Sequence, residues 1–534
     1  MDCTIQSFMN KRRLAPLLAL YLLGSTAWAT PKVLIVSPEQ TGILQTGGLA
    51  HATTGLAVSM NKLGLHTDVL MPHYLNGGSR LNQPTGKKIA VDLDWRGGVA
   101  HKRSVFTVLR QRRPLNNTIF LRHDTNEDQV NYFDNRGDGR APGPKGYGPD
   151  PTLGESFGAF GKAAADYILS QDYDIVILND WTTGLIAVHL HEARLSGHKV
   201  PKVVFAIHNI AYQGNFPYSL GEFLGLSPRH FTIEGYEFYG QISFIKAGMM
   251  YSDATYTVSR RYAQEIATPR FGAGLDGVVR FLQNQNRMFG FLNGIIESEW
   301  EPQNFNRLNL NGKAAGKAEL QAQLGLSANA SMPIFILTSR LAEQKGFDYL
   351  IDAIDAAAAL GDSQWAITGD GEPRFVEGFR ELERRYPESV RYQPFSSSLE
   401  KSLTRYGDFA VNGAWFEPSG QNQFFAMKNG TIPLVSAVGG LVDSISPGQT
   451  GFMFDIVPGK NGEAFDREAT VQNAFQEFRH AIQFYHQPLA LRKMRLKVMG
   501  ESHSWEARIR EDFLPFFQSL LGETQADCEP ELLP

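Results

Sequence analysis

The run Lys32-Val33-Leu34-Ile35-Val36-Ser37, then Thr46-Gly47-Gly48, then Leu49, Leu56, Met60 and Leu63, decides the fold. Val33 to Val36 are continuously apolar, as in a strand covered on both faces. The glycines make a turn. The leucines and the methionine recur at helical spacing until Gly64, which supplies a C-terminal stop. Strand, glycine turn and helix form the repeating unit of a parallel sheet wound with helices.

The unit repeats outward from there. Residues 67–71 are the next strand. Residues 174–178 lead into a helix from about Thr182, and residues 202–207 are another buried strand. The pattern restarts near Pro333. Residues 334–338 form a strand and a helix follows Gly346. Residues 365–368 run into Gly369-Asp370-Gly371, and residues 432–436 run towards Gly439-Gly440. This pattern predicts an α/β fold of two facing Rossmann-like domains, with the C-terminal strand ends of both sheets meeting on a central cleft. Residues 30–296 make the first domain and 297–500 the second, joined through residues 292–302. Polar residues 283–287 and the Asn/Gly-rich 302–317 flank that crossing. The Gly/Pro-rich stretch 136–151 is expected to be a loop at the cleft.

Lys11, Arg12 and Arg13 precede an apolar run over residues 14–23, and Ala27-Trp28-Ala29 follows. A positive start, a short apolar middle and an A-x-A site predict a secretory signal peptide at 1–29. An exported protein, periplasmic or secreted, is expected, with a cytoplasmic chain as the alternative. The run is too short to cross a bilayer of about 30 Å. No later segment reads as transmembrane, so no membrane span is expected in the mature chain.

Of 534 residues, 43% are hydrophobic and 20% charged, as in globular chains. Fifty-one basic against 55 acidic residues give a net charge of −4, which points to no nucleic-acid partner. Cys3 and Cys528 exclude a disulfide scaffold and a zinc site built from several thiolates. No G-x-S-x-G, H-E-x-x-H, complete G-x-G-x-x-G or Walker P-loop occurs.

Candidate site residues stand at the strand ends. Thr46-Gly47-Gly48 is a cradle for a diphosphate or sugar, or a tight turn. Arg340 and Lys345, five apart, can meet only if the turn between them folds back. There they would neutralise a leaving diphosphate. Glu417 lies in a Pro/Gly turn, placed to hold a sugar hydroxyl or balance charge on a sugar ring, or to serve as a loop acid. His208 and Asn209 end a strand and face the cleft, or form a satisfied core pair. Asp92 and Asp94 alternate with apolar neighbours, so they read as the wet face of a strand and not as a metal grip.

Together these segments resemble bacterial glycogen synthases and plant starch synthases, in order and over nearly all of the mature chain. Thr46-Gly47-Gly48-Leu49-Ala50 is similar to the family's K-T-G-G-L-A turn, and His208-Asn209-Ile210-Ala211-Tyr212-Gln213-Gly214 to its H-N-L-A-Y-Q-G. Glu237 to Gly248 follows a further motif. Leu292-Asn293-Gly294, Ser339-Arg340-Leu341, Gln344-Lys345-Gly346, Phe416-Glu417-Pro418 and Gly439-Gly440-Leu441 come next. Ser504-Trp505-Glu506 resembles the start of a final helix, residues 501–524, that crosses back to the first domain.

The resemblance implies the B-type glycosyltransferase fold and a retaining, metal-independent transfer of glucose, with no cofactor beyond the donor. The donor would be ADP-glucose or another nucleoside diphosphate sugar. The acceptor would be the non-reducing end of an α-1,4-glucan. Arg340 and Lys345 would carry over as the diphosphate clamp and Glu417 as the acid essential to transfer. Gly47, Gly48, His208, Asn209, Asn293, Gly439 and Gly440 would line the substrate site. The chain departs from the family at Gln45, where it has lysine, at His51, where it has aspartate, and at Asn179, where it has a sugar-contacting histidine. Ser419, Gln421, Asn422 and Ile296 also differ. Gln45 and Asn179 are still counted among the substrate-binding positions. Such changes suit a changed donor, or a weakened catalyst that binds glucan or nucleotide sugar on an inherited fold.

Overall fold

The structure is a computed structural model that describes residues 30–74, 82–124, 151–459 and 464–522. The expected signal peptide, both cysteines and all but the last residue of the 136–151 loop lie outside these residues.

The apolar runs become the central strands of two sheets. In the first sheet the spatial order is Met288–Gly290, Ala254–Thr257, Lys202–Ile207, Ile175–Asn179, Lys32–Val36, His66–Pro72 and Asn117–Asp124, all parallel. Two long antiparallel strands, Val99–Arg112 and Gln83–Arg96, extend it. Gly97 and Gly98 join them at φ +58° and +83°, the paired left-handed residues of a two-residue hairpin turn. Asp92 is exposed on this ribbon and Asp94 bonds Arg96 at 3.0 Å, so the pair is the wet face of a strand.

The second sheet runs Val390–Gln393, Gln364–Thr368, Ile334–Thr338, Phe409–Asn412, Ile432–Ser436 and Phe452–Phe454, all parallel. In chain order this is 3-2-1-4-5-6, the doubly wound arrangement. The parallel part of the first sheet follows the same winding. Each sheet therefore has a crevice where the strand order reverses: between Lys32–Val36 and Ile175–Asn179 in one, and between Ile334–Thr338 and Phe409–Asn412 in the other.

The first sheet ends at Gly290, and the helix Asn311–Leu324 already packs in the second half, so the crossing lies in residues 291–310. The polar stretch 283–287 stays in the first domain, because it leads into the edge strand Met288–Gly290. The chain returns through His503, whose carbonyl accepts the N–H of Ile295 at 2.8 Å. Trp505, Ile509, Phe513 and Phe517 then pack with Val33, Ile35 and Leu56 of the first domain. Gly55 makes room for this: a Cβ there would overlap the Trp505 indole. Among the described residues no helix is long and apolar enough to cross a membrane.

Candidate active site

Between the two crevices lies a cleft of about 970 Å³, large enough for a sugar nucleotide. Its first wall is built from the loops after three neighbouring strands: Gln45 to Leu49 with His51, Asp180 to Thr182, and His208-Asn209. Its second wall carries Arg340, Gln344 and Lys345 after Ile334–Thr338, and Asn412, Gly413 and Glu417 to Gln423 after Phe409–Asn412.

On the second wall the turn between Arg340 and Lys345 does fold back, through a short 3₁₀ turn Glu343–Lys345. Lys345 bonds directly to the carboxylate of Glu417, which is 6% exposed. Asn412 Nδ2 donates to the same carboxylate oxygen at 3.4 Å. Gln344 Nε2 donates to the carbonyl of Phe416 at 3.2 Å, pinning the turn that carries Glu417. Arg340 is exposed into the cleft, with no side-chain partner among the described residues. Among the described residues the cleft's lysines and arginines are Arg340, Lys345 and Lys401, all from the second half. An anionic group is therefore drawn to that wall, beside Glu417.

Among the described residues the first wall carries no lysine or arginine, and it is finely held. Glu39 accepts the N–H of Thr46 at 2.9 Å and that of Gly47 at 3.3 Å, which fixes the Thr-Gly-Gly turn. Asp180, at φ +56°, accepts the N–H of His208 at 2.7 Å. Burial pushes its carboxyl up to about 7. Asn179 donates from Nδ2 to the Val36 carbonyl at 2.9 Å, so its oxygen faces His208 Nε2 at 2.8 Å. His208 must therefore carry its proton on Nε2, leaving Nδ1 as an acceptor. Burial pushes this imidazole down to about 4, so it is neutral at pH 7.

Gln45, Gly47, Gly48, His208, Asn209 and Asn293 line the cleft. Three expected substrate contacts do not. Asn179 is buried beneath His208, both ends of its amide engaged. Gly439 and Gly440 stand behind Glu417, where the Gly439 N–H bonds Glu265 at 3.1 Å and the Gly440 N–H bonds the Glu417 carbonyl at 3.0 Å. Side chains there would strike the carbonyls of Glu417 and Ser419. These glycines let two loops of the second half pass in contact. Sequence reading missed Glu39, Asp180, Asn412 and Gln344. Asp180 had a signal, an acid directly after a strand end. The others act on backbone or side chains that no spacing rule links to them.

Two of the departures from the family pattern meet. Gln45 Nε2 bonds His51 Nε2 at 2.8 Å. Burial lowers the His51 pKa, opposed by the carboxylate of Glu299, so the neutral ring accepts this bond. The substituted positions pair with each other instead of leaving a gap.

A family model described as the starch synthase catalytic domain matches residues 32–281, and one described as glycosyl transferases group 1 matches residues 325–467. The chain is 34% identical over 506 residues to a glycogen synthase of Myxococcus xanthus, covering 92% of this chain and 100% of that one. It is 32% identical over 498 residues to a glycogen synthase of Cellvibrio japonicus, covering 89% and 96%. The solved catalytic domain of starch synthase IV from Arabidopsis thaliana, bound to ADP and acarbose, superposes with a TM-score of 0.77 at 22% identity. That match covers 92% of this chain and 100% of the other, and it carries the B-type glycosyltransferase fold. With the ordered motifs, the doubly wound halves and relatives above 30% identity over their full length, the chain belongs to the glycogen and starch synthase family of glycosyltransferases.

Proposed function

We propose that the chain transfers glucose, with retention at the anomeric carbon, from a nucleoside diphosphate glucose to the non-reducing end of an α-1,4-glucan. The observation that carries this reading is the meeting of Arg340, Lys345 and Glu417. They span 78 sequence positions and gather on one wall of the cleft, at the switch point of the second sheet. In the reaction the bond between the glucose C1 and the terminal phosphate oxygen breaks. A bond from C1 to the acceptor hydroxyl oxygen forms, and that hydroxyl's proton leaves with the diphosphate. Arg340 and Lys345 stabilise the charge that builds on the diphosphate. Glu417, paired with Lys345 and held by Asn412, accepts from a hydroxyl of the glucose. His208 Nδ1 offers a neutral acceptor on the opposite wall. No resident cofactor or metal enters this scheme.

Labelled glucose from ADP-, UDP- and GDP-glucose, offered with glycogen, tests the reading. One donor is expected to support transfer, and Glu417→Ala is expected to lower the rate by roughly 10³-fold or more. No transfer from any donor would overturn it.

We further propose that residues 1–29 direct export. The A-x-A pattern and a family match that begins at residue 32 support this. A tagged chain should appear outside the cytoplasm shortened by about 29 residues. Full-length cytoplasmic protein would overturn it.

A further inference from the structure

One helix of the first domain is tied to both walls of the cleft. It runs over Arg260–Glu265, shortly after the strand Ala254–Thr257. Ser259 caps its start, the hydroxyl accepting the Tyr262 N–H at 2.8 Å. Tyr262 is 1% exposed, and its hydroxyl oxygen accepts the N–H of Ile210 at 3.2 Å. That bond holds the loop of His208 and Asn209 on the first wall. One turn further on, Glu265 reaches into the second domain. Its carboxylate, 6% exposed, accepts the Gly439 N–H at 3.1 Å on each oxygen. The following N–H, that of Gly440, donates to the Glu417 carbonyl at 3.0 Å. Two successive peptide groups therefore connect Glu265 to the turn that carries Glu417.

The fit at this junction is close. Gly439 sits at φ +44°. A Cβ there would overlap the Glu417 carbonyl oxygen and stand 3.6 Å from the Glu265 carboxylate. Only a residue without a side chain meets both conditions. A second contact between the lobes lies alongside: Asp443 accepts the Arg261 N–H at 2.9 Å, and Arg261 Nε donates to Glu265 at 3.0 Å. Asp443 is exposed, whereas Glu265 is buried. Burying a carboxylate costs free energy unless it is paired and hydrogen-bonded. Adhesion between the lobes is already served by Asp443 at the exposed edge. What the buried carboxylate adds is a fixed place for the Gly439 and Gly440 peptide groups, against which the Glu417 turn rests.

We propose that Glu265 is a positioning residue for the transfer reaction: through Gly439 and Gly440 it fixes the Glu417 turn relative to the wall that holds His208. This role rests on the glucan-transfer reading and deepens it. Arg340, Lys345 and Glu417 belong to one lobe and His208 to the other, so their separation is not set within either sheet. Tyr262 and Glu265 stand one turn apart on a single helix, and each holds one of the two loops. Misplacing a reacting group by about 1 Å can cost about 10²-fold in rate.

Steady-state kinetics and amide hydrogen exchange of the full chain test this. Glu265→Ala is expected to lower kcat roughly 10²-fold, with the donor and glycogen KM within about twofold of the parent. Glu265→Gln still accepts the Gly439 N–H and should restore most of kcat. Asp443→Ala removes the neighbouring contact between the lobes and should keep kcat within about twofold. An unchanged kcat in Glu265→Ala overturns the proposal. So does a rise in KM at constant kcat, a failure of Glu265→Gln to recover, or an equal loss in Asp443→Ala. Hydrogen exchange gives a readout independent of catalysis. Glu265→Ala should speed exchange over residues 416–420 and 438–441 and leave the central strands unchanged, with Glu265→Gln like the parent. In a chain that transfers nothing, that pattern supports the link from Glu265 to Glu417 and overturns the transfer reading alone. Exchange that ignores Glu265 overturns the link in an active or an inactive chain. A rise that extends to the central strands makes Glu265 a structural residue and overturns it as well.

Discussion

Gln45 and His51 face each other across the first turn of a helix, at the positions where the family carries a cation and an anion. In this chain they form one neutral hydrogen-bonded pair, 2.8 Å long. Either change alone leaves a mismatched partner, so the two positions are coupled. A double-mutant cycle in kcat/KM checks this. Gln45→Lys and His51→Asp should each lower activity, and the double variant should recover it, with a coupling of about 1–2 kcal/mol. Additive effects would break the link. Asn179 tells a similar story. Its amide bridges Val36 and His208, so the substituted side chain supports a site residue from below instead of touching the sugar. A wall this well satisfied gives no support to a merely decayed catalyst.

At the scale of the element, the chemistry depends on the loop that leaves the C-terminal end of each strand. Short loops after parallel strands all rise on the same side of their sheet, so residues far apart in the chain reach one crevice. The helix Ser397–Tyr406 closes another side of the cleft and brings Glu400 with it. Burial pushes the Glu400 carboxyl up to about 7, against the weaker pull of Lys401. A carboxyl whose pKa is raised on folding holds its proton more tightly in the native state. Its contribution is then most favourable below about pH 4.5, the unfolded range, and is lost as pH rises through 7. Glu400→Gln keeps the shape and removes the titration. Thermal unfolding should show the variant more stable than the parent at pH 8, by roughly 2–4 °C, and equal to it at pH 5. The reverse order would contradict the buried setting.

Across the whole molecule, the two halves differ in electrostatic role. Among the described residues, the second supplies every lysine and arginine that lines the cleft, whereas the first supplies hydrogen-bonding groups and the carboxyls of Glu39 and Asp180. A nucleoside diphosphate should therefore stabilise the protein mainly through the second half. At a hundred times its Kd, a ligand adds about 2.7 kcal/mol to stability. Differential scanning fluorimetry with ADP, UDP and GDP should single out one nucleotide. Arg340→Ala should abolish most of that shift while leaving the ligand-free Tm unchanged, because Arg340 has no side-chain partner among the described residues. A fall in the ligand-free Tm would make Arg340 structural instead. The returning C-terminal segment gives the two lobes a second connection. It packs Trp505 over Gly55 and joins Arg260 to Asp512 at 3.0 Å, so any movement between lobes must bend two strands of chain.

Much of this was legible in the order of the residues alone. Runs such as residues 33–36 and 334–337 read as doubly covered strands because only burial on both faces tolerates four apolar residues in succession. The glycine turns and motifs put Arg340, Lys345 and Glu417 in loops that line the cleft. The antiparallel ribbon was only glimpsed, through Asp92 and Asp94, because a half-wet edge strand carries a weaker pattern than a buried one. The tertiary structure alone decided which side chains face each other across the cleft. Gln45 answers His51, Asn179 answers His208, and Glu39 orders a turn that begins seven residues later. Hydrogen bonds are short and directional, and their partners come from chain segments whose separation along the sequence sets no distance in space. Periodicity records burial, residue by residue. Satisfaction of polar groups is settled only when the loops have come together.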